Sequence, residues 1–208
     1  MTAFYITGGN SGLGKGMVNA VPEVHEVHIL SREGKITSYN FLDLDLSKVD
    51  KVSEFKFIFD SKITNAIFIN NASVLGEINK FGSLSSQSII ETFNINLISP
   101  MVLINSFIKC VNSSGISGLV VNITSGLINY PMSNLTSYIG SKLSLHNVTT
   151  LILQESIKKI KMFSIDPGLL DTSMQKTLRN SHTLGSNNYF QKKYKENKLK
   201  SPIDTGKK

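Results

Sequence analysis

Apolar residues along this chain recur in two rhythms. Short runs rich in β-branched and aromatic residues fall at 3–7, 26–31, 38–44, 65–70, 118–124 and 161–166. Their middles carry apolar side chains at consecutive positions, the pattern of strands covered on both faces by helices. Between them, 12–20, 48–60, 86–111 and 134–158 read as helices. Strand–helix alternation on this scale predicts an α/β fold with one doubly wound parallel sheet and helices on both faces. No internal repeat or low-complexity linker interrupts it, so residues 1–208 are expected to form a single domain. Near the end, Ser201, Pro202 and Asp204 give a helix-start signature. Only about one and a half turns could follow, too few for a helix without an apolar face of its own. The chain is therefore expected either to be cut after 208 or to have lost a terminal helix and strand.

Composition narrows the field. The single cysteine, Cys110, excludes an internal disulfide and is expected to pack within the helix that ends "MVLINSFIKC". The net charge of +7 is concentrated at 192–208, where seven lysines face only Glu196 and Asp204. That is a solvated basic segment, without the interleaved aromatics of a nucleic-acid-binding face. No continuous apolar run reaches the roughly 20 residues of a membrane helix, and "MTAFYITGGN" has no secretory leader pattern. A cytoplasmic location, with neither membrane nor nucleic acid as partner, is the expectation. His25, His28, His146 and His182 lack metal-ligand spacing. His25 and His28 are expected at the surface or edge of the second strand, and Asp43 in solvent.

The first strand runs into "TGGNSGLGKG", with Gly8, Gly12 and Gly14 spaced G-x-x-x-G-x-G and Asn10, Ser11 and Leu13 between them. Glycines let the backbone turn sharply and approach a pyrophosphate, whose charge the N–H groups and dipole of the following helix would bind. The second strand ends in Ser31-Arg32, where a dinucleotide fold meets the adenosine ribose. A hydroxyl and a guanidinium there suit a 2′-phosphate, which favours NADP(H) over NAD(H).

Three of the six tyrosines have a lysine four residues on: Tyr138–Lys142, Tyr189–Lys193 and Tyr194–Lys198. Spacing alone separates none of them. Tyr138 differs in its surroundings: Ser125 closes the strand "VVNITS" thirteen residues before it, and a helix continues after it. With the glycine turn, Asp45-Leu46, Asn70-Asn71-Ala72-Ser73, Asn96 in "FNINLISP", and Pro167-Gly168 with Thr172, the chain resembles the short-chain dehydrogenase/reductases from Thr7 to about Pro202. Ser73 departs from that pattern, which has glycine there.

The resemblance implies a Rossmann-type fold and a catalytic set of Asn96, Ser125, Tyr138 and Lys142. Tyr138 would donate a proton to a carbonyl oxygen as hydride leaves the nicotinamide, and Ser125 would orient that oxygen. Lys142 would hold the nicotinamide ribose and, with the positive nicotinamide, lower the phenol's pKa. Asn96 would position a water linking Lys142 to solvent. Asp45 and Leu46 would meet adenine; Asn71, Ala72, Ser73, Pro167, Gly168, Leu170 and Thr172 would complete the cofactor site.

"VVNITSGLINYP", "DPGLLDTSMQKTLRNS" and "FQKKYKENKLKSP" resemble the NADPH-dependent branch that includes sepiapterin reductase and the benzil reductases forming (S)-benzoin. For that branch, about 172–200 would form a lid. Leu127, Tyr130, Leu169, Leu170 and Met174 would line a pocket for an aromatic or α-dicarbonyl substrate, although each could equally be ordinary packing. The resemblance further implies a homodimer or homotetramer. A cofactor-binding sensor of the same fold is the alternative function, and retention of all four catalytic positions weighs against it.

Overall fold

A computed structural model describes residues 1–32, 39–186 and 188–207. Among these residues, six strands form one fully parallel sheet in the order β3-β2-β1-β4-β5-β6. They are β1 (Thr2–Thr7), β2 (Glu26–Ser31), β3 (Asn40–Asp43), β4 (Asn65–Asn70), β5 (Ser117–Ile123) and β6 (Ile160–Ile165). All six strand expectations are met, within a residue or two at each end; Ser38, at the start of the third, lies outside the described residues. Strand order reverses between β1 and β4, so the crossovers leaving their C-terminal ends diverge and open a crevice there.

Each face of the sheet has its own apolar core. On one face, Phe57, Phe68, Phe107, Leu103 and Val111 pack beneath α2 (Val49–Glu54) and α4 (Ser99–Ser114). On the other, Ile6, Val18, Ile29, Ile69 and Leu170 pack beneath α1 (Gly12–Ala20). A third cluster, built from Leu75, Leu135, Tyr138, Ile139, Leu178 and Phe190, lies over the C-terminal edge. It joins α5 (Thr136–Gln154) to α6 (Ser173–Arg179) and α7 (Tyr189–Lys195).

The helices depart from expectation in four places. The segment read as one helix over 48–60 is helical only in α2. "FKFIF" at 55–59 alternates with a period of two, buries Phe57, and receives the Tyr5 hydroxyl on the Ile58 carbonyl at 2.6 Å. The helix read over 86–111 extends through Ser114 and is divided by a π turn at Asn94–Ile98, between α3 (Ser86–Phe93) and α4. Taken as a whole, Ser86–Ser114 is long and apolar enough to span a membrane by composition alone. Its Leu103, Ile104, Phe107 and Val111 are instead buried against the sheet. Helices α6 and α7 fall in a stretch with no clear periodicity.

The fourth departure is α8 (Pro202–Gly206), which forms although its length argued against it. Ser201 caps it by accepting from Asp204 N at 3.2 Å. Its backbone lies directly on α1: a Cβ at Gly16 would meet the Pro202 carbonyl at 2.7 Å, and one at Gly206 would meet Met17 N at 2.5 Å. Close backbone packing replaces the missing apolar face.

Smaller expectations fare variously. Asp43 is exposed, as read, and Cys110 packs with its thiol donating to the Phe57 carbonyl at 3.1 Å. His28 is more enclosed than an edge position implied. It stacks on Tyr5 at 4.3 Å and lies 3.4 Å from Glu26 without hydrogen-bond geometry. Burial pushes its pKa down despite the carboxylate. Among the described residues no cluster of metal-ligating side chains occurs.

Candidate active site

A cleft of about 1110 Å³ follows the C-terminal edge of the sheet from β2 to α6 and α7. Its central wall is the glycine turn. Gly8 (φ +66°) and Gly12 (φ +51°) adopt left-handed backbone. Gly14 is required for a different reason: a Cβ there would collide with the Gly8 carbonyl and come within 2.6 Å of Asn71 Nδ2. Thr7 fastens this turn to the end of β4. Its hydroxyl oxygen accepts from Asn71 N (2.9 Å) and Ala72 N (3.0 Å), while Asn71 Nδ2 donates to the Thr7 carbonyl at 3.0 Å. The Asn-Asn-Ala stretch therefore holds two strand ends together as well as facing the cleft. Ser11 precedes α1 in extended conformation and makes no side-chain cap bond, which leaves its hydroxyl and the first-turn N–H groups available to an anion.

At the β2 end the walls are Ser31, Arg32, Asp45 and Leu46. Burial pushes the Asp45 carboxyl up. Its bonds with Ser47 and the charges of Arg32 and Lys48 outweigh that and hold it below the usual carboxylate range.

At the other end lie Ser125, Tyr138 and Lys142, brought together because β5 ends beside the first turn of α5. Tyr138 is 6% exposed and Lys142 2%. Burial raises the phenol's pKa, the neighbouring Ser125 hydroxyl lowers it, and the Asp166 carboxylate raises it again. Lys142 donates from Nζ to the Ile123 carbonyl at 2.7 Å, and burial brings its pKa down to about 8. The net direction at Tyr138 is thus opposite to the one expected from its lysine, because burial outweighs the Ser125 hydroxyl.

Most of the predicted site residues face the cleft. Gly8, Ser11, Gly12, Leu13, Asn71, Ala72, Ser73, Pro167, Gly168, Leu170 and Thr172 do, as do Leu127, Tyr130, Leu169 and Met174. Asn10, Gly14 and Asn96 lie outside its wall. Asn96 sits in the π turn, where Oδ1 accepts from Val74 N at 2.9 Å and Nδ2 donates to the Val74 carbonyl (2.8 Å) and to Ser141 (3.0 Å). Its side chain pins the loop after β4.

Sequence reasoning missed Asp166, Gln175, Leu178, Tyr189 and Phe190 in the cleft wall. Tyr189 has no strand-borne serine before it in the sequence to mark it. Isolated Leu178 and Phe190 in polar surroundings were the available signal. The segment carrying Gln175, Leu178, Tyr189 and Phe190 leaves and returns at one point. Lys200 N donates to the Leu169 carbonyl at 2.9 Å and Asp171 N to the Lys200 carbonyl at 3.0 Å, closing its base.

The cleft fits a nicotinamide dinucleotide on features of its own. It is long, its centre is glycine backbone that no Cβ could replace at Gly14, and a cation stands at the ribose end. In addition, Ser73 Oγ is buried there without a partner.

The short chain dehydrogenase family model matches residues 2–183. The chain is 30% identical over 193 residues to benzil reductase ((S)-benzoin forming) of Bacillus subtilis, covering 87% of this chain and 79% of that enzyme. It is 29% identical over 120 residues to sepiapterin reductase of Bos taurus, covering 56% of this chain and 45% of that one. The crystal structure of the KRED1-Pglu enzyme superposes with a TM-score of 0.82 at 21% identity, over 100% of this chain and 92% of that one. The chain belongs to the short-chain dehydrogenase/reductase family of NAD(P)(H)-using oxidoreductases.

Proposed function

We propose that the protein is an NADPH-dependent carbonyl reductase acting on aromatic or α-dicarbonyl ketones. The observation that carries this reading is the Tyr138–Ser125–Lys142 cluster at one end of a cleft whose other end presents Arg32. Arg32 supports NADPH over NADH, because a guanidinium can bind a 2′-phosphate through two hydrogen bonds. When bound, the cofactor supplies the hydride. Tyr138, held protonated by burial, gives its proton to the carbonyl oxygen, while Ser125 donates a hydrogen bond to the same atom. Lys142 lies one helical turn away and replaces the phenol's proton or holds the ribose once it leaves the Ile123 carbonyl. Asn96 keeps the β4 loop in register through Val74.

Leu127, Leu169, Met174 and the exposed Tyr130 give the substrate end an apolar wall, which supports an aromatic ketone. Similarity to a benzil reductase supports the same class. We infer a single reductase domain in which about 172–200 serves as the lid. Exposed Ile98, Met101 and Leu143 on the helices carrying the Asn96 and Tyr138 segments support pairing of two copies through that face.

The test is consumption of NADPH and, separately, NADH in the presence of benzil, followed by absorbance. Rapid NADPH oxidation with little NADH oxidation is expected, and no consumption of either would overturn the reading. Tyr138→Phe should lower turnover at least about a hundredfold. Retention of more than about a tenth would remove Tyr138 from its role.

A further inference from the structure

Asp166 follows β6 and, among the described residues, is the sole acid at the catalytic end of the cleft, the other acid of its wall being Asp45 at the ribose end. Its carboxylate is fixed from two sides. Oδ1 accepts from Gly168 N at 2.9 Å. Oδ2 lies against the Cα of Gly126, so closely that a Cβ there would meet it at 2.7 Å. Gly126 directly follows Ser125, so the carboxylate stands beside the pair of hydroxyls between which a ketone oxygen would be held. Its charge reaches the Tyr138 phenol and raises that pKa. Among the described residues Oδ2 accepts no hydrogen bond, and no cation pairs with it within ion-pair distance.

From this geometry we propose that Asp166 is a specificity-determining residue that selects ketones bearing a cationic or hydrogen-bond-donating group near the carbonyl and rejects those bearing a carboxylate. The proposal rests on the carbonyl-reductase reading and narrows its substrate class. A ketone whose oxygen lies between Ser125 and Tyr138 places its adjacent substituent beside the Ser125–Gly126 turn. There it meets a fixed negative charge in a wall otherwise formed by Leu127, Leu169 and Met174. An ammonium or hydroxyl α to the carbonyl gives Oδ2 a partner. A carboxylate in that place meets like charge at close range; Asp166 is solvent-exposed, so each such contact has the scale of charges about 4 Å apart in water, about 1 kcal/mol.

Three ring-matched ketones test this: 2-amino-1-phenylethanone in its ammonium form, 1-phenyl-1,2-propanedione and phenylglyoxylate, which are cationic, neutral and anionic. Each is measured against the wild-type protein and Asp166→Asn, both for kcat/KM with NADPH and for binding to the NADPH-loaded protein by calorimetry. Asparagine keeps an oxygen for Gly168 N, so the loop geometry is expected to persist. The neutral diketone serves as the internal reference. In the wild type the aminoketone should be preferred over the oxo acid. In Asp166→Asn that ratio should fall by at least about tenfold, or about 1.4 kcal/mol, in both kcat/KM and affinity.

A variant in which all three ketones change by the same factor would overturn the specificity role while leaving the reductase intact. Wild-type protein that binds the three ketones in the expected order but reduces none would overturn the carbonyl-reductase reading alone. A charge-independent order of affinities in the wild type would overturn the proposal about Asp166, whatever the turnover.

Discussion

The two ends of the cleft are built by different means. The cofactor half is made of backbone: a glycine turn, the first turn of α1, and two strand ends fastened by the Thr7 hydroxyl. The lid half is made of side chains: Leu178 and Phe190 pack on Tyr138, and Arg179 joins α6 to α7. A backbone site tolerates almost no change at its few obligatory positions. A side-chain site spreads its stability over many replaceable contacts, which lets substrate preference vary while the chemistry stays put. Lys142 stands where the halves meet, and its burial affects both stability and chemistry.

Lys142 should produce the largest effect. Burial brings its pKa from 10.5 to about 8, which is worth about 3 kcal/mol. The folded protein releases this proton near pH 8 and the unfolded chain near 10.5. Between those values the unfolded chain binds more protons, so folding stability rises with pH across that window. Lys142→Met removes the titration. At about pH 7 it should be more stable than wild type by up to about 3 kcal/mol, less about 1 kcal/mol for the lost bond to the Ile123 carbonyl. The gap should close as pH rises towards about 10. Urea unfolding at several pH values reads it, and parallel wild-type and variant profiles would show that Lys142 carries no buried-charge penalty. Loss of turnover in the same variant would mark the site as one where function is kept at a cost in stability.

Gly14→Ala attacks the backbone half. The added methyl group meets the Gly8 carbonyl and Asn71 Nδ2, neither of which can move without disturbing the Thr7 fastening. Overpacking of this kind costs about 1–3 kcal/mol. A lower melting temperature and NADPH binding weakened about tenfold or more are expected, read by thermal unfolding and fluorescence titration. Normal cofactor binding would mean that the turn is less rigid than its geometry implies.

The same contrast explains what could be read from the sequence. The strands, the glycine turn and the Ser125–Tyr138 interval were legible because each imposes a residue type at a fixed place in the chain. Apolar runs mark covered strands, glycine marks backbone without room, and a strand end fixes the distance to the next helix. The lid was legible only as a region. Residues of α6 and α7 meet the cleft through single apolar residues among charged ones, and Asp166 looks like any acid after a strand. The end of α2 was misread because "FKFIF" carries a strand's period within a predicted helix. The short α8 was undervalued because its support comes from Gly16, nearly two hundred residues earlier. Asn96 was placed correctly on its helix, but its bonds to Val74 and Ser141 depend on tertiary contact that spacing does not encode.

Arg179→Ala gives the smallest effect and addresses the lid half directly. One Nη1 donates to Asp171 Oδ1 at 2.7 Å and Gln175 Oε1 at 2.6 Å, and the guanidinium lies 4.1 Å from the centre of the Tyr194 ring. Asp171 sits at the base of the lid beside the Lys200 backbone bond, so this one side chain ties base, α6 and α7 together. Asp171 is half-exposed, so its ion pair is worth less than about 1 kcal/mol, and the cation–π contact adds about as much. Losing about 1–2 kcal/mol of these contacts would shift the open–closed balance of the proposed lid about 5- to 30-fold without unfolding the sheet beneath. The variant should therefore raise KM for the ketone several-fold. NADPH affinity and melting temperature should hardly change, since the cofactor half does not depend on this contact. An equal loss of ketone and NADPH affinity would mean that the two halves are one cooperative unit, and the distinction between a backbone-built and a side-chain-built end would fall.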